Sequence, residues 1–183
     1  MVKKHLFISG RPGIGKTTLI KKATEYLNKF CIDYSGFITE ELREKGRRVG
    51  FILREMPRGR ECILAHVNIT SPYRVGKYGV NIHEFESIAL PTIEKKVPLL
   101  VIDEIGTMEL FSQKFKETLK RILKGKSPLL LATIGERHLV ILDRWNVKDM
   151  VNLLVINYRT RNGLLDRIIE WFRDNLEGPF ASR

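Results

Sequence analysis

The chain has 183 residues and a formal net charge of +11, with 43% hydrophobic and 29% charged residues. This length and composition predict one globular domain and exclude a largely disordered chain, which would hold fewer apolar residues. The two cysteines, Cys31 and Cys62, form no CxxC pair and no metal-binding cluster, so we expect reduced, partly buried thiols. No apolar run approaches the roughly 20 residues that cross a bilayer, and we expect a soluble, cytoplasmic protein.

The excess of basic residues leaves two interpretations open. A basic surface attracts nucleic acid, acidic lipid or phosphate-rich small molecules, while lysine-rich charged surfaces are also common in thermophilic proteins. The basic residues are scattered and lack the interleaved aromatic residues of a single-strand binding surface. Charge alone therefore does not establish a nucleic-acid partner, and the sequence predicts neither a membrane nor an obligate protein partner.

The first elements predicted are a strand, a glycine-rich loop and a helix. LFIS (6–9) is short, apolar and β-prone, and TTLIKKATEYLNKF (17–30) repeats apolar residues at helical spacing. Residues 35–68 hold three strand-like runs separated by turn residues, which predict an antiparallel meander of two or three strands. Residues 69–83 combine Pro, Gly and Tyr without a clear period and indicate a loop.

The second half of the chain alternates helices with apolar strands. HEFESIALPTIEKK (83–96) reads as a helix that Pro91 kinks or breaks. PLLVIDEIG (98–106) is a continuous apolar run that ends in two carboxylates, as in a buried parallel strand. Further predictions are a helix at 112–125 capped by Ser112 and Gly125, strands at 127–135 and 153–157, and a helix at 162–178. This alternation predicts a mainly parallel α/β sheet with right-handed crossovers.

The glycine-rich loop matches the phosphate-binding pattern G-x-x-x-x-G-K-[ST], between a predicted strand and a predicted helix. Its glycines let successive N–H groups turn inward, and the helix directs its positive dipole end at an anion. Lys16 should bridge the β- and γ-phosphates, and the Thr17 hydroxyl should ligate Mg²⁺. The predicted nucleotide-binding residues are Gly10, Arg11, Pro12, Gly13, Ile14, Gly15, Lys16, Thr17 and Thr18. Because Pro12 has no N–H, the donating amides should run from Gly13 through Thr18.

Two carboxylates at the end of the apolar strand supply the second element of a site. Asp103 should emerge at the sheet edge beside the phosphate loop, where it can hold the magnesium shell through water or through Thr17. Glu104 is placed to polarise a water for in-line attack on the γ-phosphorus, which makes hydrolysis the natural reaction. The alternative for Glu104 is a carboxylate near the start of the following helix. The predicted catalytic residues are therefore Lys16 and Glu104.

Four further segments occur together with this loop and strand end: GFITEELREKGRRVGF (36–51), YGVNIHEFESIALP (78–91), VIDEIGTMEL (101–110) and LLATI (130–134). With them the sequence resembles the small nucleoside-triphosphatase family of archaea and thermophilic bacteria, which has a cancer-related human relative. The resemblance implies one P-loop nucleoside-triphosphatase domain over residues 1–183, a RecA-like three-layer α/β sandwich with a mainly parallel sheet and a small antiparallel insertion. It also implies slow, Mg²⁺-dependent hydrolysis of several nucleoside triphosphates, including ATP and GTP.

The resemblance adds one residue by position and marks two departures. Arg161 occupies the place of an arginine in the family's last motif, which implies a nucleotide-binding role. This chain has Thr107 where the family usually has a lysine, and Thr160 where the family has an asparagine before that arginine.

Two interpretations stay open for several other charged residues. Glu40, Glu41 and Arg43 fall in the family's hairpin motif and either line the site or form a solvated hairpin face. Arg11 and Arg137 either supply charge to the transition state or are surface arginines.

Two alternative functions stay open on these residues. A nucleotide or small-molecule kinase would use the same loop, with residues 69–83 covering a second substrate. A nucleic-acid-dependent ATPase is suggested only by the net charge of +11.

Overall fold

One sheet of nine strands with five helices packed on it forms the fold in the computed structural model, which describes residues 3–125 and 127–176. The strands are β1 His5–Gly10, β2 Tyr34–Glu44, β3 Arg47–Met56, β4 Glu61–His66, β5 Arg74–Val75, β6 Tyr78–Val80, β7 Leu99–Ile105, β8 Leu129–Gly135 and β9 Val151–Val155. The helices are α1 Lys16–Lys29, α2 Ile82–Ile93, α3 Gln113–Lys124, α4 Val140–Arg144 and α5 Leu164–Asn175.

The parallel part of the sheet has the strand order β2-β7-β8-β1-β9. Its strands are apolar on both faces because helices cover both faces. In β7, Leu99 and Val101 pack towards α1 and α5, while Leu100 and Ile102 pack towards α2 and α3. The predicted three-layer α/β sandwich is thereby confirmed, in a mixed sheet whose parallel part has five strands. The order also places β8 between β1, which leads into the glycine loop, and β7, which carries the two carboxylates.

The antiparallel part extends the sheet in the order β2-β3-β4-β6-β5. It confirms the meander predicted at 35–68. The loop predicted at 69–83 is wrong in part, because that segment contains the β5 and β6 hairpin. Two residues, 76–77, join these strands, and Gly76 has φ 57°, which suits a tight hairpin turn. Strands of two and three residues are too short to show an alternating pattern, so the sequence did not reveal them.

Helix α2 runs through Pro91 to Ile93, so the predicted break at the proline is wrong. A proline removes the N–H that would bond the carbonyl four residues earlier, here Ser87. That carbonyl accepts a hydrogen bond from Arg60 Nη2 at 3.0 Å instead. The helix therefore tolerates the proline because another side chain satisfies the freed carbonyl.

The caps predicted for α3 are confirmed. Ser112 Oγ accepts a hydrogen bond from Phe115 N at 3.0 Å, and Gly125 follows the last helical residue as C-cap.

The cysteines differ from each other in exposure. Cys31 is exposed, so its predicted partial burial is wrong, whereas Cys62 is half-buried and burial raises the pKa of its thiol to about 11. Across residues 3–125 and 127–176, every helix is too short or too polar to span a bilayer.

Candidate nucleotide site

The glycine loop between β1 and α1 has the backbone that an anion site needs. Gly13 and Gly15 have φ 74° and φ 109°, conformations that disfavour residues with a Cβ. Gly15 is the N-cap of α1 and provides no side-chain cap for the helix amides, which makes the N-terminus of α1 suited to an anion. Gly10 has a different role, since a Cβ there would stand 2.7 Å from the backbone oxygen of Ile156. It is glycine because the segment after β9 packs against it.

The side chain of Lys16 is buried and lies across the loop. Its Nζ donates to the carbonyl oxygens of Gly10 at 3.0 Å and Arg11 at 3.3 Å. The same nitrogen lies 3.7 Å from Glu104 Oε2. The loop therefore aims the ammonium group at the sheet edge where the carboxylates of β7 emerge.

Asp103 is fully buried at the end of β7. Thr133 Oγ1 donates to its Oδ1 at 2.5 Å, and the Thr17 side chain lies next to the carboxylate. Burial raises the pKa of Asp103 to about 6. Its Oδ2 is buried without a hydrogen-bond partner, an unfavourable state for a carboxylate oxygen. An unpaired carboxylate oxygen beside a hydroxyl is a donor set that fits Mg²⁺, which prefers oxygen ligands and retains water.

Glu104, the next residue, is 39% exposed at its side chain and opens into the cavity. It lies within β7, while α3 begins at Gln113 and is capped by Ser112. Glu104 is therefore a sheet-edge residue facing the lysine and not a carboxylate at the start of that helix.

One cavity of about 680 Å³ joins the loop, Glu104 and the hairpin of β2 and β3, and Asp103 is not among the residues that line it. It is lined by Gly10, Pro12, Gly13, residues 15–18, Thr39, Glu41, Arg48, Phe51, Val75, Glu104, residues 106–109 and residues 135–137. This set includes seven of the nine predicted loop residues. Of the other two, Arg11 is exposed and Ile14 packs against the apolar layer under α1 and α5.

Of the two candidate arginines, Arg137 is at the cavity. Its Nη2 donates to Thr107 Oγ1 at 2.7 Å, and its Nε lies 3.1 Å from His138 Nε2. Desolvation, followed by the charge of Arg137, lowers the pKa of His138. Thr107, one of the two departures from the family's pattern, thus anchors an arginine at the site.

Arg161 lies in the loop that follows β9, outside the residues that line the cavity. Its guanidinium carbon is 5.6 Å from the centre of the Tyr158 ring. The loop begins beside the phosphate loop, because Ile156 N donates to Ser9 O at 2.8 Å. A nucleotide-binding role for Arg161 stays a prediction.

Of the hairpin glutamates, one lines the site and the other lies on a solvated face. Glu41 lines the cavity, and hydrogen bonds from Arg48 and Arg43 lower its pKa. Glu40 pairs with Lys21 and Arg54 and belongs to the charged surface.

Sequence reasoning missed Glu109, which follows the turn after β7 and is 4% exposed. Gly106 N donates to its Oε2 at 3.1 Å, and Thr39 Oγ1 donates to its Oε1 at 3.4 Å. Burial, followed by the charge of Glu104, raises its pKa to about 8. The signal in the sequence was a glutamate flanked by the apolar residues Met108 and Leu110. A glutamate in such a run is either exposed on the surface or buried with a partner.

The strand order and the phosphate loop define a P-loop nucleoside triphosphatase with a RecA-like α/β sandwich, in which one strand separates the loop strand from the acidic strand. More particularly, the chain belongs to the NTPase family, whose model matches residues 5–169.

Relatives match the chain over most of their lengths. The nucleoside-triphosphatase THEP1 of Thermotoga sp. (strain RQ2) is 39% identical over 93% of this chain and 96% of that protein. The human cancer-related nucleoside-triphosphatase is 37% identical over 91% of this chain and 95% of that protein.

Two solved structures share the fold. The crystal structure of THEP1 from the hyperthermophile Aquifex aeolicus superposes with a TM-score of 0.78 at 33% identity, covering 91% of this chain and 97% of that one. The solution structure of the human protein superposes with a TM-score of 0.81 at 34% identity, covering 95% of this chain and 100% of that one.

Proposed function

We propose that this protein hydrolyses nucleoside 5′-triphosphates, including ATP and GTP, to the diphosphate and inorganic phosphate with Mg²⁺ and broad base specificity. The observation that carries this proposal is the position of Glu104. Its carboxylate opens into the cavity 3.7 Å from Lys16 Nζ, at the sheet edge beside the phosphate loop. The names of the relatives support the same reaction.

The loop binds the triphosphate in this proposal. The amides of the loop and the N-terminus of α1 face the phosphates, and Lys16 exchanges its carbonyl partners for the β- and γ-phosphate oxygens. Thr17 and the free Oδ2 of Asp103 would hold Mg²⁺, which neutralises phosphate charge when bound.

Glu104 acts on the attacking water. The carboxylate accepts a proton from the water while the water oxygen forms a bond to the γ-phosphorus. The bond from the γ-phosphorus to the bridging oxygen breaks, and the electron pair stays on the diphosphate. Lys16 stabilises the charge that develops on the leaving oxygen.

A kinase using the same loop is not favoured. A kinase would keep water away from the γ-phosphate and bring an acceptor hydroxyl there, whereas Glu104 is a carboxylate available to water. The relatives that match over nine-tenths of their lengths are named nucleoside-triphosphatases.

The test is phosphate release from ATP, GTP, CTP and UTP by the purified protein with Mg²⁺ and without an acceptor. Lys16→Ala and Glu104→Gln should each lower release by roughly 100-fold or more, while Glu104→Gln still binds nucleotide. Chelation of Mg²⁺ should abolish release. Full turnover by Glu104→Gln would show that Glu104 is not the general base. Tight binding of nucleotide by the wild type without release of phosphate would contradict hydrolysis itself.

A further inference from the structure

Glu109 sits beneath the catalytic edge of the sheet, with both carboxylate oxygens engaged. It is the first residue of a 3-10 turn, Glu109–Phe111, that follows β7. One oxygen accepts from Gly106 N at 3.1 Å and the other accepts from Thr39 Oγ1 at 3.4 Å. The side chain thereby joins the turn after β7 to strand β2, across the junction of the two strands.

The carboxylates of Glu109 and Glu104 flank the same glycine. A Cβ built on Gly106 would stand 2.9 Å from Glu109 Oε2 and 3.3 Å from Glu104 Oε1. Gly106 is buried, so the two acidic groups are neighbours with only a glycine between them. The turn therefore lies in contact with the carboxylate that faces Lys16.

We propose that Glu109 is a positioning residue, which holds the Gly106 turn and so fixes the carboxylate of Glu104 for hydrolysis. This inference depends on the proposed function, because it assigns Glu109 a task only if Glu104 is the base. Glu109 lines the cavity, but both of its carboxylate oxygens are engaged by Gly106 N and Thr39 Oγ1. It therefore acts through Gly106 and Glu104.

Glu109 performs this task as a neutral acid. A carboxyl group buried beside another carboxylate is more stable protonated. In the neutral acid, Oε2 still accepts from Gly106 N, and a proton on Oε1 can be donated to Thr39 Oγ1. Of the two strands next to Glu109, β7 contributes the charged Glu104 and β2 contributes the uncharged Thr39. The helices packed against this turn carry Glu86 and Lys114, which pair with each other at 2.9 Å.

Ionisation of Glu109 would place a second negative charge across Gly106 from Glu104. That charge repels Glu104 and adds to the negative charge around the bound triphosphate. Turnover should consequently fall as the pH rises through the range in which Glu109 loses its proton, near pH 8.

The experiment compares kcat and KM for the wild type, Glu109→Ala and Glu109→Gln between pH 6 and 10, with melting temperature and nucleotide binding measured on each. At pH 7, Glu109→Ala should lose roughly 10- to 100-fold in kcat with KM within about 3-fold, because misplacing a catalytic group affects the chemical step. Glu109→Gln keeps two hydrogen-bonding atoms and should stay within about 3-fold of the wild type. It should also lack the wild type's alkaline decline.

The matched control is Glu55→Ala. Glu55 is also a buried glutamate of this sheet, and it also accepts a backbone N–H, from Arg60 at 3.2 Å, but it lies in β3 away from the cavity. Its removal tests whether losing any buried glutamate lowers turnover, and its kcat should equal that of the wild type.

Three results would overturn the inference: unchanged kcat in Glu109→Ala, an equal loss in Glu55→Ala, or an alkaline decline that persists in Glu109→Gln. Failure of the proposed function has a different signature, since Lys16→Ala and Glu104→Gln would then leave phosphate release unchanged. An active wild type that depends on Glu104 but not on Glu109 would therefore reject only this inference.

Discussion

The parallel part of the sheet and its antiparallel extension bury their strands differently. In β7 six of the seven residues are buried, whereas β3 alternates between exposed, half-buried and buried positions. The polar residues of the parallel part converge at one edge, because parallel strands all end on the same side. Polar residues of the extension instead pair along the surface, as Arg54 does with Glu40 and Glu61.

This difference separates two kinds of charged residue. Asp103 is buried with one oxygen unpaired, so the fold maintains an unfavourable arrangement that a ligand would relieve. Glu41 has its charge matched by Arg43 and Arg48 of the hairpin. The parallel part therefore carries the unpaired polar group, while the hairpin forms one wall of the cavity.

The largest expected effect comes from Asp103→Asn, which tests whether the parallel edge carries the chemistry. Turnover with saturating nucleotide should fall on the order of 100- to 1,000-fold, because the amide cannot supply the charge that holds Mg²⁺. The measurement is kcat as a function of Mg²⁺ concentration. Glu61→Gln, on the exposed side of β4, is the control and should retain full kcat; an equal loss in both would contradict the division of the sheet.

Gly36→Ala tests the junction at which β2 pairs with both parts. A Cβ at Gly36 would stand 1.8 Å from the backbone oxygen of Val101 on β7, so the strands would have to separate. The free energy of unfolding should fall by roughly 3 to 5 kcal/mol, as for other severe backbone conflicts. Gly46→Ala, in the hairpin turn at φ 78° with open space around it, should cost about 1 kcal/mol. Denaturant unfolding of both variants measures the contrast.

Glu109→Gln should change how stability depends on pH. The pKa of Glu109 is raised from 4.5 to about 8 in the folded protein, so the folded state holds a proton that the unfolded state releases. The contribution of the neutral group to wild-type stability is full below about pH 4.5 and is lost progressively as the pH rises to about 8. The melting temperature of the glutamine variant relative to the wild type should rise across this window and level off above it. A constant difference across the window would show that Glu109 ionises normally.

The smallest effect is expected from Glu41→Ala in the hairpin. Its partners Arg43 and Arg48 are exposed, and exposed ion pairs contribute roughly 0 to 1 kcal/mol. Thermal unfolding should shift by only a few degrees, and kcat should stay within about 3-fold of the wild type. A loss of kcat approaching that of Asp103→Asn would make the hairpin part of the reacting centre.

Local sequence patterns were sufficient where the physics is local. The glycines at 13 and 15 indicate positive φ, the apolar run of β7 predicts a buried strand, and Ser112 predicts the start of a helix. Each of these depends on neighbours within a few residues, so the phosphate loop and the acidic strand end could be read directly.

The tertiary structure alone decided which distant residues meet. Thr133 reaches Asp103 because β8 lies next to β7, and Thr39 reaches Glu109 because β2 lies on the other side of β7. The same strand order brings Arg137 to the lining of the cavity, whereas Arg11 is not among the residues that line it. Strand order and burial arise from the packing of the whole chain, and they set both the neighbours and the charge state of a side chain. The sequence by itself thus determined that the protein carries a phosphate loop and an acidic strand end, whereas packing decided that Glu109 is buried beside them.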